Sequence, residues 1–248
     1  MSSVCLAICI ATHNAEKTIQ GCLRSIPYSA KDSVVILIQD NLSQDETLPI
    51  AQKELTSLGL AHVICSESDE GIYDAWNRMA KKAHSEWITF IGSDDRFLQK
   101  IDLEAIENEY GSCNFITFQG LYGGVRPYGN SLAGYYRSLA AYQSGWKIMH
   151  QGSWYKTSLL ISNPFNPRYK IAGDFEHLIR VRGMLSYAHV DTVVLWVGGS
   201  GVSARRPWLV AVEAFKAVAS QSVKPKVSSY LIGLILMLKI IAYSIFKW

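Results

Sequence analysis

Several features that would assign a chain to a broad class are scarce or missing in this sequence. Its 248 residues include five cysteines, an odd number without a Cys-x-x-Cys pair, which disfavours a disulfide framework and a structural zinc site. The formal net charge is only +3, and no block of lysine or arginine accompanies it, so nucleic acid is not an expected partner. The sequence also lacks internal repeats and low-complexity tracts.

The two ends of the chain differ in character. The first apolar run, in "MSSVCLAICIATHN", is too short for a signal sequence and has no basic residue before it, so we expect the catalytic part to stay in the cytoplasm. Residues 227–248 form a longer apolar stretch, close to the ~20 residues that cross a bilayer, with Lys239 as its only charge before Lys247. We expect a membrane-associating helix here; the alternative is an apolar helix docked on the domain or on a second subunit.

Short apolar runs alternate with segments of helical pattern. The runs cover residues 4–10, 34–38, 62–65, 87–91, 115–118 and 193–197. Their length and β-branched content predict strands that are buried on both faces. The helical patterns cover residues 16–26, 45–58 and 72–84. This alternation predicts an α/β fold with a mostly parallel, open, Rossmann-like sheet and helices on both faces, followed by the apolar C-terminal helix.

Two segments carry most of the remaining apolar pattern. In the third helix, one stripe is predicted to face the core; it consists of Ile72, Ala75, Trp76, Met79 and Ala83. Residues 119–148 are rich in glycine and tyrosine and predict loops, with a helix near residues 134–144. Four aromatic residues are candidates either for stacking on a sugar or for core packing: Tyr135, Tyr136, Trp146 and Trp154.

Polar residues follow each of the first four predicted strands, in "ATHNAEKT", "QDNLSQDET", "SESDEGIYD" and "GSDD". Each stretch alone has an ordinary interpretation as a helix N-cap, a turn or a solvated corner. Ligands of open parallel sheets bind beyond the carboxyl ends of the strands, so four such stretches together indicate a ligand site. The pair Asp94 and Asp95 is the most unusual, because adjacent carboxylates repel each other and are costly to bury.

The longer stretches around these motifs resemble a known family. They are "ICIATHNAEKTIQGCLRSI", "IQDNLSQDET", "SESDEGIYDAWNRMAKKAHSEWITFIGSDDRF" and "HQGSWYKTSLL", followed by "FNPRYKIAGDFEHLIRV". Together they resemble the family 2 glycosyltransferases with the A-type, nucleotide-diphospho-sugar transferase fold, and are similar to bacterial members that build colanic acid, capsule and O-antigen polysaccharides. The part from Glu67 to Asp95 is the most specific.

The resemblance explains the paired carboxylates. Asp94 and Asp95 match the family's Asp-x-Asp motif, which holds a divalent cation against the donor diphosphate. Mg²⁺ and Mn²⁺ prefer oxygen ligands and complete their shells with phosphate oxygens and water. The resemblance implies direct metal contact for Asp95, with Asp94 and Ser93 nearer the sugar or ribose. The alternative is a charged turn without a metal.

The resemblance also implies a donor site at the ends of the first three strands. Asp40 would accept a hydrogen bond from the base, which suits a uracil N–H and favours a UDP-sugar. The other residues implied to contact the nucleoside, ribose or sugar are Ala11, Thr12, His13, Glu16, Asp69, Asp74 and Asn77. Asp74 is also simply favourable near a helix N-terminus. The sequence departs from the family at His13, where tyrosine is frequent, and in "DNLSQDET", which replaces "DGGSTDGT" and puts Leu42 where glycine is common.

Catalytic and acceptor residues are implied by the later motifs. "YKIAGDFEHLIRV" resembles the family's "YKIAADYDLLLRL", whose first acid deprotonates the acceptor hydroxyl, so Asp174 is the implied base and Glu176 the reserve candidate. The alternative is an N-cap and first helical turn. Beside the acceptor or phosphate the resemblance places His150 and Gln151, an isolated histidine being otherwise structural. Arg205 and Arg206, after a Gly-rich flap, suit a diphosphate clamp or lipid headgroups.

These expectations combine into one predicted organisation and function. Residues 1–219 form the catalytic domain, with a donor half (1–98) and an acceptor half (99–219), and residues 220–248 form a linker and the membrane-associating helix. The predicted enzyme is an inverting, metal-dependent hexosyltransferase of bacterial surface polysaccharide synthesis, acting on a lipid-linked glycan at the cytoplasmic face of the inner membrane. One alternative is a catalytically inactive, membrane-associated protein that binds a nucleotide-sugar or glycan. A sugar-phosphate nucleotidyltransferase is disfavoured, because "ATHNAEKT" lacks the Gly-rich, basic loop it needs.

Overall fold

The structure is a computed structural model of the chain. It describes residues 5–29, 32–122, 126–128, 148–198 and 205–220, together with residue 238. The helix predicted near residues 134–144, the aromatics Tyr135, Tyr136 and Trp146, and the apolar segment 227–248 apart from residue 238 lie outside the described residues. Within the described ranges, no helix is both long enough and apolar enough to cross a membrane.

The first half of the chain builds four parallel strands with helices between them. The elements are β1 Leu6–Thr12, α1 Ile19–Arg24, β2 Val34–Asp40, α2 Thr47–Leu58, β3 Ala61–Ser66, α3 Ile72–Lys82 and β4 Trp87–Gly92. The strand order is β3-β2-β1-β4, and every neighbouring pair is parallel. The loops that follow these strands therefore meet at one edge of the sheet. The strands and helices predicted for this half are confirmed.

The second half extends the same sheet with strands of both directions. Its elements are β5 Arg96–Phe97, α4 Leu103–Tyr110, β6 Phe115–Tyr122, β7 Arg126–Tyr128, β8 Trp154–Lys156, α5 Thr157–Ser162, α6 Gly173–Val181, a 3₁₀ turn Arg182–Met184, β9 Tyr187–Val197 and α7 Pro207–Ser220. Strand β8 lies antiparallel between β4 and β6, and β9 is parallel to β6. The α/β fold class is confirmed, and the parallel pairing is continuous only in the first half.

Both faces of the sheet are buried, each by its own set of helices. Along β1, Leu6, Ile8 and Ile10 face the apolar layer that includes α1, α2 and α4, whereas Ala7 and Cys9 face the layer that includes α3, α5, α6 and α7. Burial on both faces explains why the strand sequences are continuous apolar runs rather than alternating ones. Each fully buried aliphatic side chain contributes about 1.5–3 kcal/mol relative to an exposed one. All five cysteines are free thiols.

Helix α3 shows where the predicted core stripe was wrong. Its stripe residues Trp76 and Met79 are buried as predicted, but Ile72 is 39% exposed, and Tyr73 takes the buried position with 3% exposure. Ile72 is the first residue of the helix, directly after Gly71. Because helical side chains tilt toward the N-terminus, a side chain at the first position projects beyond the packed face. Gly71 has φ 123°, a conformation that favours glycine.

Candidate active site

The loops after β1 and β2 are joined by hydrogen bonds at the carboxyl edge of the sheet, and residues 13–16 and 41–47 together are called the nucleoside wall. The ring Nδ1 of His13 lies 2.7 Å from the carbonyl oxygen of Asn41, and the Ala15 N–H donates to Thr47 Oγ1 at 2.7 Å. The Glu16 N–H donates to Asp45 Oδ2 at 3.1 Å. The predicted nucleoside-binding residues Ala11, Thr12, His13 and Glu16 thus lie together on β1 and this wall.

Leu42, in the unusual "DNLSQDET" turn, has a strained backbone conformation. It has φ 52°, in the left-handed region where an L-residue other than glycine, asparagine or aspartate is uncommon. The conformation costs a leucine roughly 1–2 kcal/mol. Its side chain is exposed. Leucine at this position therefore adopts a left-handed conformation and adds backbone strain.

Asp40, the predicted base contact, is fully buried and already holds the loop that follows it. Its Oδ2 accepts from Ser43 N at 2.9 Å and from Ser66 Oγ at 2.7 Å, and its Oδ1 accepts from Ser43 Oγ at 2.5 Å. A carboxylate has about four lone-pair positions, so three of them are in use. Ser43 and Ser66 were not among the predicted site residues. Contact between Asp40 and a base stays a prediction.

Three predicted sugar or ribose residues surround the start of α3. Asp69 accepts from Gly71 N at 2.9 Å, and burial raises the pKa of its carboxyl. Asp74 binds the Arg78 guanidinium at 2.8 Å. The amide of Asn77 donates to the carbonyl oxygen of Phe165 at 2.8 Å and accepts from its N–H at 2.9 Å. Asn77 therefore ties α3 to the second half of the chain, and its contact with a sugar stays a prediction.

Asp95 is the more buried of the two predicted metal ligands, with 2% exposure. Its Oδ2 accepts from Gly92 N at 2.6 Å, and its Oδ1 accepts from Gly198 N at 2.9 Å. Burial raises the pKa of the Asp95 carboxyl to about 7; the two backbone hydrogen bonds oppose this, and neighbouring Asp94 adds a smaller increase. The Asp95 carboxylate is thus held by one backbone N–H three residues before it and by another 103 residues after it.

Glycines on both sides of this acidic pair leave room for the carboxylate of Asp94. A Cβ added to Gly198 or to Gly92 would come closer to an Asp94 carboxylate oxygen than a real Cβ does, so the Asp94 side chain would have to move. Ser93, half-buried, lies between Gly92 and the pair. Gly198 directly follows β9, so the second half of the chain closes onto the carboxylates of the first. Gly198 was missed as a site residue; only its place in a Gly-rich stretch could have indicated it.

The acidic pair has the chemistry that a hard divalent cation needs. Asp94 and Asp95 offer carboxylate oxygens only, and each Asp95 oxygen, with one backbone hydrogen bond, keeps a further lone pair. In the described part of the chain, no group of three or more His, Cys, Asp or Glu side chains is arranged around a metal position. The two aspartates therefore fit a cation that completes its shell with water and phosphate oxygens, as Mg²⁺ usually does.

Asp174 lies in the first turn of α6, where it meets Tyr73 from α3. The Tyr73 hydroxyl is 3.0 Å from Asp174 Oδ1. Burial raises the pKa of the Asp174 carboxyl, against the lowering effect of hydrogen bonds from the Phe175 N–H and from Tyr73. Glu176, the reserve candidate, is buried and bound to Arg180 Nε at 2.8 Å. Because α3 begins shortly after β3, the contact with Tyr73 places Asp174 on the carboxyl side of the sheet.

The remaining candidates are spread over different environments. His150 is 3% exposed; its ring stacks on Trp76 and Phe90, and burial lowers its pKa to about 3. Gln151 is half-buried just before β8. Arg205 and Arg206 are exposed beside the start of α7. Trp154 is buried in β8 against Trp87 and Phe118, which is the core-packing alternative. Contact of His150, Gln151, Arg205 and Arg206 with the acceptor or a phosphate stays a prediction.

Residues 7–169 match the family described as "Glycosyl transferase family 2". The chain belongs to this family. This family 2 glycosyltransferase is 28% identical over 191 residues to a "PGL/p-HBAD biosynthesis glycosyltransferase" of Mycobacterium bovis, covering 73% of this chain and 70% of that protein. The predicted enzyme class, a glycosyltransferase, is confirmed by the family.

Solved structures share the fold of this family 2 glycosyltransferase. S. aureus TarS matches with a TM-score of 0.64 and 19% identity over 97% of this chain, which spans only 44% of the TarS chain. Residues 1–349 of TarS in complex with UDP-GlcNAc match with a TM-score of 0.65 and 17% identity, covering 98% of this chain and 73% of that one. Glucosyl-3-phosphoglycerate synthase from Mycobacterium tuberculosis, in complex with Mn²⁺, UDP and phosphoglyceric acid, has a TM-score of 0.63 and 16% identity, covering 90% and 80%. These likenesses show the A-type fold.

Proposed function

We propose that this glycosyltransferase is an inverting, metal-dependent enzyme that moves a sugar from a nucleotide-diphospho-sugar to an acceptor hydroxyl. One observation carries the proposal: the acidic pair that follows β4 and the carboxylate of Asp174 both lie on the carboxyl side of the parallel strands, and Tyr73 connects Asp174 to the donor half. The nucleotides in the TarS and glucosyl-3-phosphoglycerate synthase structures support a UDP-sugar as the favoured donor.

Donor binding would use the wall after β1 and β2 for the nucleoside and the acidic pair for the diphosphate. Asp95 and Asp94 would hold a Mn²⁺ or Mg²⁺ ion, which when bound neutralises charge on the leaving nucleoside diphosphate. Asp69 lies beside the nucleoside wall, since Asn41 of the wall accepts a hydrogen bond from its N–H at 3.2 Å. The Mn²⁺ in the glucosyl-3-phosphoglycerate synthase structure supports this assignment.

Asp174 would act as the general base. Its carboxylate takes the proton of the acceptor hydroxyl while the acceptor oxygen bonds to the anomeric carbon and the bond from that carbon to the diphosphate oxygen breaks. Attack opposite the leaving group in a single displacement inverts the anomeric carbon and needs only one positioned carboxylate. A raised pKa strengthens Asp174 as a base, because its proton affinity lies closer to the working pH.

The acceptor is proposed to be a lipid-linked glycan of bacterial surface polysaccharide synthesis, reached from the cytoplasmic face of the inner membrane. The support is the apolar sequence of residues 227–248 with Lys224 and Lys226 before it, a pattern that suits contact with anionic headgroups. In this arrangement residues 1–98 bind the donor, residues 99–219 face the acceptor, and residues 220–248 join the domain to the membrane.

The proposal is tested by screening UDP-, GDP- and dTDP-sugars for thermal stabilisation with and without Mn²⁺, followed by assay of nucleoside diphosphate release. We expect a Mn²⁺-dependent rise in melting temperature that Asp95→Asn abolishes. Asp174→Asn should keep the rise but lower turnover roughly 10²–10⁴-fold. Asp32→Asn is the matched control, since Asp32 precedes β2 at the opposite edge and pairs with Lys100.

The outcomes separate the enzyme from its alternative. A donor-dependent rise without any nucleoside diphosphate release would favour the catalytically inactive binding protein. Full turnover in Asp174→Asn would refute the assignment of the base, and the failure of every nucleotide-sugar to raise the melting temperature would refute the donor site.

A further inference from the structure

Glu213, on α7, is a buried carboxylate that the reaction described above does not use. It is 5% exposed. Its Oε1 accepts from Lys170 N at 2.8 Å, and its Oε2 accepts from Ile171 N at 2.8 Å and from Ala172 N at 2.9 Å. Three successive backbone N–H groups therefore converge on one side chain. Hydrogen bonds to a charged acceptor are stronger than neutral ones, so they offset the cost of burying this carboxylate.

The segment that Glu213 binds leads directly into the proposed base. Ala172 is the N-cap residue of α6, and Asp174 is the second residue of that helix. Alanine has no polar side chain, so it makes no side-chain cap of its own. Glu213 satisfies the N–H groups of this segment from another helix. The position of the first turn of α6 thus depends on α7.

Tyr73 contacts the same segment from α3. Its hydroxyl lies 2.5 Å from the carbonyl oxygen of Ile171 and 3.0 Å from Asp174 Oδ1. A carbonyl only accepts, so the single hydroxyl proton serves either Ile171 or an ionised Asp174 at one time. When Asp174 has taken a proton, it can donate to the Tyr73 oxygen while Tyr73 donates to Ile171. Both protonation states of Asp174 are therefore accommodated without moving Tyr73.

Glycine at position 173 allows this approach. A Cβ at Gly173 would lie 2.7 Å from the Tyr73 ring, closer than packed carbon atoms come. The ring of Tyr73 is itself held in an aromatic group, with Trp76 at 5.3 Å and Phe165 at 5.8 Å between ring centroids. The hydroxyl is thus presented to Asp174 from a rigid part of the core.

We propose that Glu213 and Tyr73 are positioning residues for Asp174: they fix residues 170–172 and the first turn of α6, so that α3 and α7 together set the place of the base. This inference rests on the proposed role of Asp174. It assigns to α7 a part in catalysis although none of its residues is proposed to touch the substrates.

The charges around Asp174 give this role a distinctive signature. The titratable groups that act on it are Tyr73 from α3 and Glu213 from α7. On the same helix as Asp174, Glu176 is bound to Arg180. Before the helix begins, the Lys170 ammonium donates to the carbonyl oxygens of Glu70 and Pro167. Burial is the largest cause that raises the pKa of Asp174; the Tyr73 hydrogen bond lowers it, and the negative charge of Glu213 raises it.

The experiment measures kcat and donor KM against pH for the full chain and for Glu213→Gln, Glu213→Asp and Tyr73→Phe. Glu213→Gln removes a charge that raises the pKa of the base, so the acid limb of the rate profile should move to lower pH. Tyr73→Phe removes a lowering hydrogen bond, so its acid limb should move to higher pH. Displacement of the base should lower kcat roughly 10- to 100-fold in both, with donor KM within about twofold of wild type.

Two further variants separate position, charge and fold. Glu213→Asp keeps the charge but withdraws the oxygens from residues 170–172, so kcat should fall while the acid limb stays in place. Glu54→Gln is the matched control, because Glu54 is a buried glutamate of α2 bound to Arg24 and Gln20. It should lower stability and leave the acid limb unchanged.

The outcomes distinguish this inference from the proposed function. If Asp174→Asn is inactive but Glu213→Gln and Tyr73→Phe keep the wild-type acid limb and kcat, the positioning role is refuted and the base assignment stands. If Asp174→Asn keeps full activity, the base assignment itself fails. Should Glu213→Gln not fold, Tyr73→Phe alone decides, since an unmoved acid limb with unchanged kcat in that conservative variant overturns the proposal.

Discussion

Two histidines in the aromatic core each contribute stability at neutral pH that should be lost in mild acid. His150 and His177 are both buried, and burial lowers the pKa of each ring to about 3. Their ordinary pKa is about 6.5. Between these values the unfolded chain binds protons that the native state excludes. A group with a depressed native pKa contributes stability that is complete above its unfolded pKa and is lost as the pH falls.

The size of the effect follows from the two pKa values. At pH 5.5, one unit below the unfolded value, each unfolded histidine gains RT ln(11), or about 1.4 kcal/mol, while the native state gains almost nothing. Relative to pH 7.5, the two rings together remove about 2.7 kcal/mol of stability at pH 5.5. A domain has only about 5–15 kcal/mol of stability in total, so this is a large share.

Urea unfolding of the wild type and of His150→Phe at pH 7.5 and pH 5.5 isolates the share of one ring as the difference between the two proteins, because Asp95, whose pKa burial raises to about 7, changes stability with the opposite sign over this range in both. Phenylalanine keeps the stacking on Trp76 and Phe90 but loses the hydrogen bond between the ring Nδ1 and the Tyr155 hydroxyl, 2.9 Å away, which should cost about 1 kcal/mol at both pH values. The pH-dependent loss of the variant should be smaller than that of the wild type by about 1.4 kcal/mol. His84→Gln, at an exposed position, is the control and should keep the wild-type loss. A full wild-type loss in His150→Phe would refute the reasoning.

Three further substitutions test the site. Burial raises the pKa of Asp95 to about 7, so the native state holds that proton more tightly than the unfolded chain, and stability falls as the pH rises from about 4 to 7. In EDTA at pH 8, Asp95→Asn should therefore raise the free energy of unfolding by about 2–3 kcal/mol, and the variant should show no turnover. An unchanged urea midpoint would contradict this. Gly198→Ala should weaken donor binding at least about tenfold in a thermal-shift titration, an energy of about 1.4 kcal/mol, because the added Cβ would displace the carboxylate of Asp94. The control Gly183→Ala, with open space around its Cβ, should bind the donor normally. Leu42→Gly should stabilise the native state by about 0.5 kcal/mol, since relief of the left-handed strain exceeds the added chain entropy, and a loss of stability would show that Leu42 is not strained.

The parts of the fold that carry a periodic signal could be predicted from sequence. Strands β1, β2 and β4 are six or seven residues long and mostly apolar, and α3 has a clear helical stripe. Strand β8 has three residues and β5 has two, too few for any periodicity to show. The antiparallel insertion of β8 between β4 and β6 is decided by packing in the second half, which no local pattern records.

In the candidate site, the residues that stand in motifs could be predicted from sequence, whereas the long-range contacts could not. Asp94, Asp95 and Asp174 stand in motifs, so their residue types and spacing could be recognised. Gly198 meets Asp95 across 103 residues of chain, and Tyr73 meets Asp174 across 101. Such contacts leave no trace in neighbouring residues. In sequence, Glu213 is the single acid of a mostly apolar helix, and only the fold shows that it faces residues 170–172.

The strand order has a consequence for synthesis of the chain on the ribosome. Strand β1 lies between β2 and β4, and Leu6 pairs with Val34 on one side and with Trp87 on the other. Translation at 5–20 residues per second separates the end of β2 from the end of β4 by about 3–10 s. Throughout that interval the central strand offers one open apolar edge, a template for pairing with other nascent chains. A strand that is paired on both sides in the finished enzyme is thus exposed to wrong pairing while the chain is being made.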